Sequence, residues 1–154
     1  YHAPDAMVRA WRIVATAKIL ASQIRSLVIR PALEKLNLWS LSAEELVLGT
    51  AIVESGLTYL RQHNDGPALG LWQVEPSTQN DLYVNFLNFR PELSFKLMEL
   101  RSAGLSLDEN LATNLMYGAA VCRLCLIIGN RTRFQRLVTS KAKPHFGSST
   151  TTRL

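Results

Sequence analysis

The stretch Ala51-Ile52-Val53-Glu54-Ser55-Gly56 places an acid and a serine at the end of an apolar helical pattern. A loop rich in turn-forming residues follows, and Gly70-Leu71-Trp72-Gln73-Val74-Glu75 then brings a glutamine after a short hydrophobic run. At about 100° per residue, Glu54 lies on the inward stripe of its helix. That stripe is predicted to contain Ala43, Leu46, Val47, Thr50 and Ala51. The pattern therefore predicts a carboxylate that points towards the core from the last helical turn.

Helices are predicted on both sides of this stretch. A helix-like pattern covers residues 7–30, improves from Ser22, and is expected to be interrupted or to restart at Pro31. Ser42 and Glu45 have the spacing of a capping box, so Ser42 is predicted to be the N-cap of the helix that ends near Glu54.

Downstream, new helices are predicted to begin at Pro76 and at Pro91, because proline is favoured in the first helical turn. Ser106 and Glu109 have the spacing of a second capping box, which should open the longest helix, ending by 129–130. Turn formers dominate residues 55–70, where a loop or small hairpin is expected. The predicted fold class is mainly α.

Charge is distributed unevenly along the 154 residues, whose net charge is +5. Residues 1–33 carry five basic and one acidic residue, residues 34–121 five basic and eleven acidic ones, and residues 122–154 seven basic ones and no acid. We therefore expect a basic N-terminal arm (1–21), a globular domain (22–123) and a basic tail (124–154). Basic ends of this kind bind nucleic acid or anionic wall polymers, or are simply solvated.

Several other classes of protein are disfavoured. Every 18-residue window contains a charged residue, so no transmembrane segment is expected. The chain begins with Tyr1 and shows no signal-peptide layout, so a processed or fragmentary start is expected. Cys122 and Cys125 lack a second ligand pair, so we interpret them as small apolar residues and expect no metal site.

The position of Glu54 has a chemical consequence. A carboxyl group on an apolar stripe loses hydration when it ionises, so its pKa is expected to rise and it can hold a proton near neutral pH. A general acid that protonates a glycosidic oxygen needs this property. The alternative is a helix-terminal glutamate that turns into solvent or accepts hydrogen bonds from the following loop.

The ordered set Glu54-Ser55-Gly56, Gly70-Leu71-Trp72-Gln73-Val74 and Asn114-Leu115-Met116-Tyr117 resembles the superfamily of soluble lytic transglycosylases and goose-type lysozymes. The phrase from Gly66 to Thr78 is similar to lysozyme-like proteins of phages and prophages. The resemblance covers roughly residues 22–123. It implies a lysozyme-like α-helical domain that cleaves the β-1,4 bond between N-acetylmuramic acid and N-acetylglucosamine, without a cofactor.

Individual roles follow from this resemblance. Glu54 matches the catalytic acid, and Ser55 the residue that helps to fix the next loop. Gln73 matches the glutamine that lines the glycan groove. Tyr117 matches the tyrosine that faces the acid, and Asn114 lies on the same late helix. Trp72 and Tyr83 are expected to be core residues rather than sugar-stacking platforms.

Asp65 and Glu75 are the candidates for an auxiliary acid. Asp65 before a glycine is also an ordinary turn residue, and Glu75 before a proline is also suited to a helix N-terminus. Neither is a strong second carboxylate. The resemblance therefore implies a single-acid lytic transglycosylase, in which the N-acetyl group of the substrate assists and a 1,6-anhydro product forms, in preference to hydrolysis.

The resemblance also implies partners and a location. The expected partner is the glycan strand of peptidoglycan, reached at the bacterial cell wall by a protein that is virion-associated or released on lysis. An alternative is a non-catalytic virion or lysis-associated protein that retains the fold. The acidic centre and the absence of a reading-helix signature disfavour a nucleic-acid-binding module, so no nucleic-acid partner is expected.

The C-terminal tail departs from the family pattern. The codons for His145 to Thr152, read one nucleotide earlier, can spell L-W-K-Q-Y-Y-N-T, the kind of aromatic segment that similar phage proteins carry. We therefore hypothesise that the chain from about Leu124 is a frameshifted reading of an ordinary C-terminus. Under this hypothesis, residues 124–154 lack their core-packing role.

Overall fold

A computed structural model describes residues 19–129 of the chain, and this part is mainly α-helical. The elements are α1 (Ala21–Gln23), a π-helical segment (Ile24–Ile29), α2 (Arg30–Lys35), α3 (Leu41–Ser55), α4 (Pro76–Asn85), α5 (Pro91–Glu99), α6 (Leu107–Thr113) and α7 (Leu115–Ile127), with short 3₁₀ helices at His63–Asp65 and Leu87–Phe89. The predicted α class is confirmed. The predictions for residues 1–18 and 130–154, including most of both basic ends, lie outside the described residues.

The backbone stays helical through Pro31, where the sequence predicted an interruption or a restart. The π-helical segment directly precedes the proline, and the N–H of Arg30 donates to the carbonyl of Arg25, five residues earlier. A proline in a regular α-helix removes one N–H donor and collides with the carbonyl four residues before it. The wider π turn accommodates this local conflict, so α1 and α2 form one continuous element.

The start of α3 lies two residues earlier than the capping pattern predicted. Ser40 is the N-cap, and its hydroxyl accepts a hydrogen bond from the N–H of Ala43, whereas Ser42 already lies inside the first turn. The inward stripe also differs at one position. Leu46 is 51% exposed, whereas Glu44 is completely buried. Glu44 takes an inward position because Arg30 and Trp39 satisfy its carboxylate.

The segment between α3 and α4 is irregular. Its only β-type pairings in the described residues are the isolated antiparallel bridges Arg61–Leu69 and Leu69–Val74. This agrees with the loop or small hairpin that the turn-forming residues predicted.

The capping box of Ser106 and Glu109 is confirmed, but the long helix that it should open is divided in two. The axes of α6 and α7 meet at 101° around Asn114. The backbone of Asn114 is extended, and its side-chain oxygen accepts from the N–H of Tyr117. Asn114 is therefore the N-cap of a new helix rather than the middle of an old one.

Helix α7 is central to the core. It contacts α2, α3, α4, α5 and α6, and its residues from Tyr117 to Cys122 are fully or almost fully buried, as are Leu124 and Cys125. The core therefore extends past Arg123, where the sequence placed the end of the domain.

No single described helix is both long and apolar enough to cross a membrane; the bent pair α6 and α7 meets the length and composition test only when the two are taken together.

Candidate functional site

Glu54 lies in the last turn of α3 with only 7% of its surface exposed. Burial is the main cause that raises the pKa of the Cys122 thiol on α7, and the Glu54 carboxyl is one of the smaller causes. The inward orientation predicted from the helical period is therefore observed. Because Glu54 lies in the last turn of α3, it is at the boundary between the core and the following loop.

The backbone around Glu54 is fixed by two side chains. The Ser55 hydroxyl donates to the carbonyl of Ala51 and accepts from the N–H of Leu57, which ties the helix end to the turn. The Tyr59 hydroxyl donates to the carbonyl of Glu54 at 2.7 Å. Gly56, at φ +58°, ends the helix in the left-handed conformation that glycine adopts most easily.

Gln73 has an unusual backbone. Its φ is +47°, a left-handed conformation that is strained in a residue with a Cβ atom. Its side chain is partly exposed, and the amide nitrogen donates to the carbonyl of Gly70 at 2.9 Å. Strained non-glycine residues are frequent at binding and catalytic sites, and Gln73 shares this conformation with Asn37, Leu57, Asn64 and Asp65.

Trp72 is a core residue, as the sequence predicted. It is 2% exposed, its indole N–H donates to the carbonyl of Val47 on α3, and Gly118 on α7 lies directly against its ring. The side chain therefore joins the loop to two helices, and it has no face open to a sugar.

Tyr117 is completely buried. Its hydroxyl donates to the side-chain oxygen of Gln79 at 2.7 Å and lies 3.1 Å from the hydroxyl of Tyr83. Burial is the main cause that raises the pKa of this phenol well above its ordinary value, so it stays neutral. In this structure Tyr117 has no surface for a sugar, although the family pattern assigns it to the far wall of the groove.

Asn114 is occupied by interactions within the fold. Its amide nitrogen donates to the carbonyl of Leu100 and contacts the side chains of Ser102 and Asn110, while its oxygen caps α7. All of these contacts shape the bend between α6 and α7. The geometry therefore gives Asn114 a structural role. From the sequence alone, this role could not be distinguished from substrate binding.

The two candidate auxiliary acids lie in different settings. Asp65 is exposed in the 3₁₀ turn, with φ at +55°. Glu75 precedes the first residue of α4, and one of its carboxylate oxygens accepts from the hydroxyl of Ser77 at 3.3 Å. Asp65 thus has the surroundings of a turn residue, and Glu75 those of a helix N-terminus.

The cysteines are buried thiols rather than ligands. Both are free and inaccessible, and burial raises the pKa of Cys125 to about 12. Among residues 19–129, no group of three or more histidine, cysteine or acidic side chains has the arrangement of a metal site.

The surface also carries grooves away from Glu54. One, of about 560 Å³, lies between Leu36 and Lys96 at the start of α5, and another, of about 370 Å³, lies beside Asp81. None of the predicted site residues lines either groove.

Sequence reasoning missed Gln79 and Tyr83 as a polar pair. They lie one turn apart on α4 and bond to the same hydroxyl of Tyr117. The available signal was a glutamine four residues before a tyrosine on a helix that also carries an inward leucine, Leu82. Only the long-range position of α7 turns that spacing into a hydrogen-bonded cluster.

The described residues thus form a mainly α-helical protein with a buried acid at a helix end. Comparisons with protein families, with characterised proteins and with solved structures give no match for this chain.

Proposed function

We propose that this protein cleaves the glycan strands of peptidoglycan, with Glu54 as the general acid. The observation that carries the proposal is the position of Glu54, a buried carboxyl group at a helix end whose backbone is held by Ser55 and Tyr59. The strained Gln73 in the following loop supports it. The order of these residues in the chain also resembles that of the lytic transglycosylase and goose-type lysozyme superfamily.

In the proposed reaction, Glu54 gives its proton to the oxygen that links N-acetylmuramic acid to N-acetylglucosamine, and the bond from that oxygen to the muramic acid carbon breaks. The N-acetyl group of the muramic acid stabilises the positive charge on that carbon. The 6-hydroxyl of the same sugar then attacks the carbon and returns its proton to the Glu54 carboxylate. The products are a 1,6-anhydro end and a free 4-hydroxyl, and no cofactor takes part.

The surroundings of the other acids favour this internal attack over hydrolysis. A hydrolase with two carboxylates needs the second one at a defined distance across the scissile bond. Asp65 lies on an exposed turn, and Glu75 accepts from Ser77 at the start of α4. We therefore propose a lytic transglycosylase that acts at the bacterial cell wall on the glycan strand.

The test is a peptidoglycan-clearing assay with Glu54→Gln, which keeps the shape of the side chain and removes the transferable proton. Clearing should fall by about 10²- to 10⁴-fold, the usual contribution of a positioned acid. Glu45→Gln is the matched control, because Glu45 is an exposed acid on the same helix. Mass analysis of released muropeptides should show anhydro ends, which are lighter than hydrolysed ends by one water. Equal clearing by the Glu54→Gln variant would remove Glu54 from the mechanism.

A second candidate is a non-catalytic virion or lysis-associated protein. One observation favours it: α3 exposes three apolar side chains, those of Leu46, Ile52 and Val53. Apolar residues grouped on a helix surface are common where another protein binds. Absence of clearing by the unsubstituted protein, with normal folding, would favour this candidate.

A further inference from the structure

Four polar side chains form a continuous chain of hydrogen bonds from three helices. The hydroxyls of Tyr83 (α4) and Tyr117 (α7) are 3.1 Å apart, Tyr117 is 2.7 Å from the side-chain oxygen of Gln79 (α4), and the Gln79 amide nitrogen is 3.3 Å from Asp108 (α6). Tyr117 and Gln79 are buried, Asp108 is exposed, and Tyr83 is partly exposed. The chain therefore runs from the surface at Asp108, through the interior, to the surface at Tyr83.

The chemistry of Asp108 sets the direction of every bond in this chain. An ionised carboxylate only accepts hydrogen bonds, so the NH₂ group of Gln79 faces Asp108. The carbonyl oxygen of Gln79 must then face Tyr117, which has to donate its single hydroxyl proton to it. The oxygen of Tyr117 is left as an acceptor, so the proton between the two phenols belongs to Tyr83.

This direction determines what Tyr83 can offer to a ligand. A phenol has one O–H donor, and that of Tyr83 is directed inwards to Tyr117. The remaining lone pair of its oxygen can only accept. Any further hydrogen bond that the hydroxyl of the partly exposed Tyr83 makes is therefore one that it accepts and not one that it donates.

We propose that Tyr83 contacts the glycan and accepts a hydrogen bond from one of its N–H or O–H groups, and that Tyr117, Gln79 and Asp108 are positioning residues for it. The proposal rests on the proposed function, because it assumes a glycan ligand. In this proposal, Tyr83 makes the contact with the glycan that the family resemblance assigns to Tyr117, which is buried. Acetamido N–H and hydroxyl groups occur on every sugar of the strand, so the ligand supplies suitable donors.

A purely structural network would have a different consequence. If the four side chains only join α4, α6 and α7, then removing the Tyr83 hydroxyl would change stability and leave ligand affinity unchanged. If Tyr83 is a contact residue, ligand affinity falls as well, so affinity rather than stability separates the two cases.

The experiment measures binding of a soluble oligomer of β-1,4-linked N-acetylglucosamine by calorimetry. All variants are made in full-length protein that carries Glu54→Gln, so that cleavage does not consume the ligand. Tyr83→Phe should weaken binding by about tenfold, the effect of one hydrogen bond. Asp108→Ala, which removes the acceptor that orients Gln79, should weaken binding by a few fold.

Asn85→Ala is the control, because Asn85 lies on the exposed side of α4 and its amide bonds only to Asp81 among the described contacts. Affinity that is unchanged in Tyr83→Phe would overturn the inference, as would the absence of any oligomer binding to the Glu54→Gln protein. Clearing by the unsubstituted protein is scored separately. Loss of binding in Tyr83→Phe without any clearing by the unsubstituted protein would refute the enzymatic proposal and support the glycan contact.

Discussion

At the scale of single residues, Glu44 shows how a charge can be stable inside the core. Both of its oxygens accept from the guanidinium of Arg30, at 2.8 and 3.0 Å, and one also accepts from the indole N–H of Trp39 at 2.7 Å. A buried carboxylate is tolerated only when its hydrogen bonds are satisfied in this way. These hydrogen bonds connect Arg30 at the start of α2 to α3, the helix whose last turn contains Glu54.

Glu44 predicts a dependence of stability on pH. The hydrogen bonds from Arg30 are the main cause that holds the pKa of Glu44 below its ordinary value of 4.5. The hydrogen bond from Trp39 lowers it further. Because the pKa of Glu44 is lower in the folded state, ionised Glu44 stabilises that state at pH values above 4.5. This stabilisation is lost as the pH falls through the pKa that Glu44 has in the folded protein. Urea unfolding should therefore show that Glu44→Gln costs on the order of 2 kcal/mol at pH 7. The cost should shrink steadily below pH 4.5.

Glu92→Gln is the control for this measurement, because Glu92 forms an exposed ion pair with Lys96. It should change the free energy of unfolding much less than Glu44→Gln does, because solvent screens an exposed ion pair. A difference between the wild type and Glu44→Gln that stays constant with pH would contradict the assignment.

At the scale of elements, the loop that carries Gln73 is placed by a close contact at Gly70. Its φ is +75°, and a Cβ atom there would collide with the carbonyl oxygen of Leu111 at the end of α6. Glycine is required here both for the backbone conformation and for the approach of the loop to the helix. The position of Gln73, three residues later, depends on this approach.

Gly104 offers a matched comparison for this requirement. Its φ is +81°, but the space around its Cβ position is open. Gly104→Ala should lower the free energy of unfolding by about 1 kcal/mol, the cost of the left-handed backbone alone. Gly70→Ala should cost clearly more in the same thermal or urea unfolding experiment, because the collision is added. Equal losses for the two variants would show that the loop moves away from α6 without penalty.

At the scale of the whole molecule, Trp72 joins the loop to both helices that border the candidate site. Its indole N–H bonds to Val47 on α3, and its ring lies against Gly118 on α7. The site and the core thus share one side chain, so we expect the loop and the helices to unfold together.

Trp72→Phe tests this arrangement. The change removes the indole N–H bond to the carbonyl of Val47 and opens a cavity, so the free energy of unfolding should fall by about 3 kcal/mol. Phe89→Leu is the control, because Phe89 is highly exposed, and it should have little effect. The measurement is urea unfolding followed by circular dichroism. A small loss in Trp72→Phe, similar to that of the control, would mean that the loop is not coupled to the core.

Much of the fold could be predicted from local patterns. The prolines at 76 and 91 begin helices, Ser106 and Glu109 form their capping box, and Glu54 lies on the inward stripe of its helix. Each of these features depends on interactions between residues no more than about four positions apart, within reach of one helical turn. For the candidate site, helical periodicity was sufficient to predict the inward position of Glu54, whereas Gln73 was singled out by the family resemblance.

Other features depended on residues that are distant in the sequence. Asn114 turns the chain because its amide also reaches the carbonyl of Leu100, fourteen residues earlier. Burial of Glu44 required Arg30, and burial of Tyr117 required Gln79. The sequence alone determined the helical class and the inward acid, since both follow from helical periodicity. The tertiary structure alone decided which polar groups are buried, because a buried polar group is stable only when the fold brings it a partner.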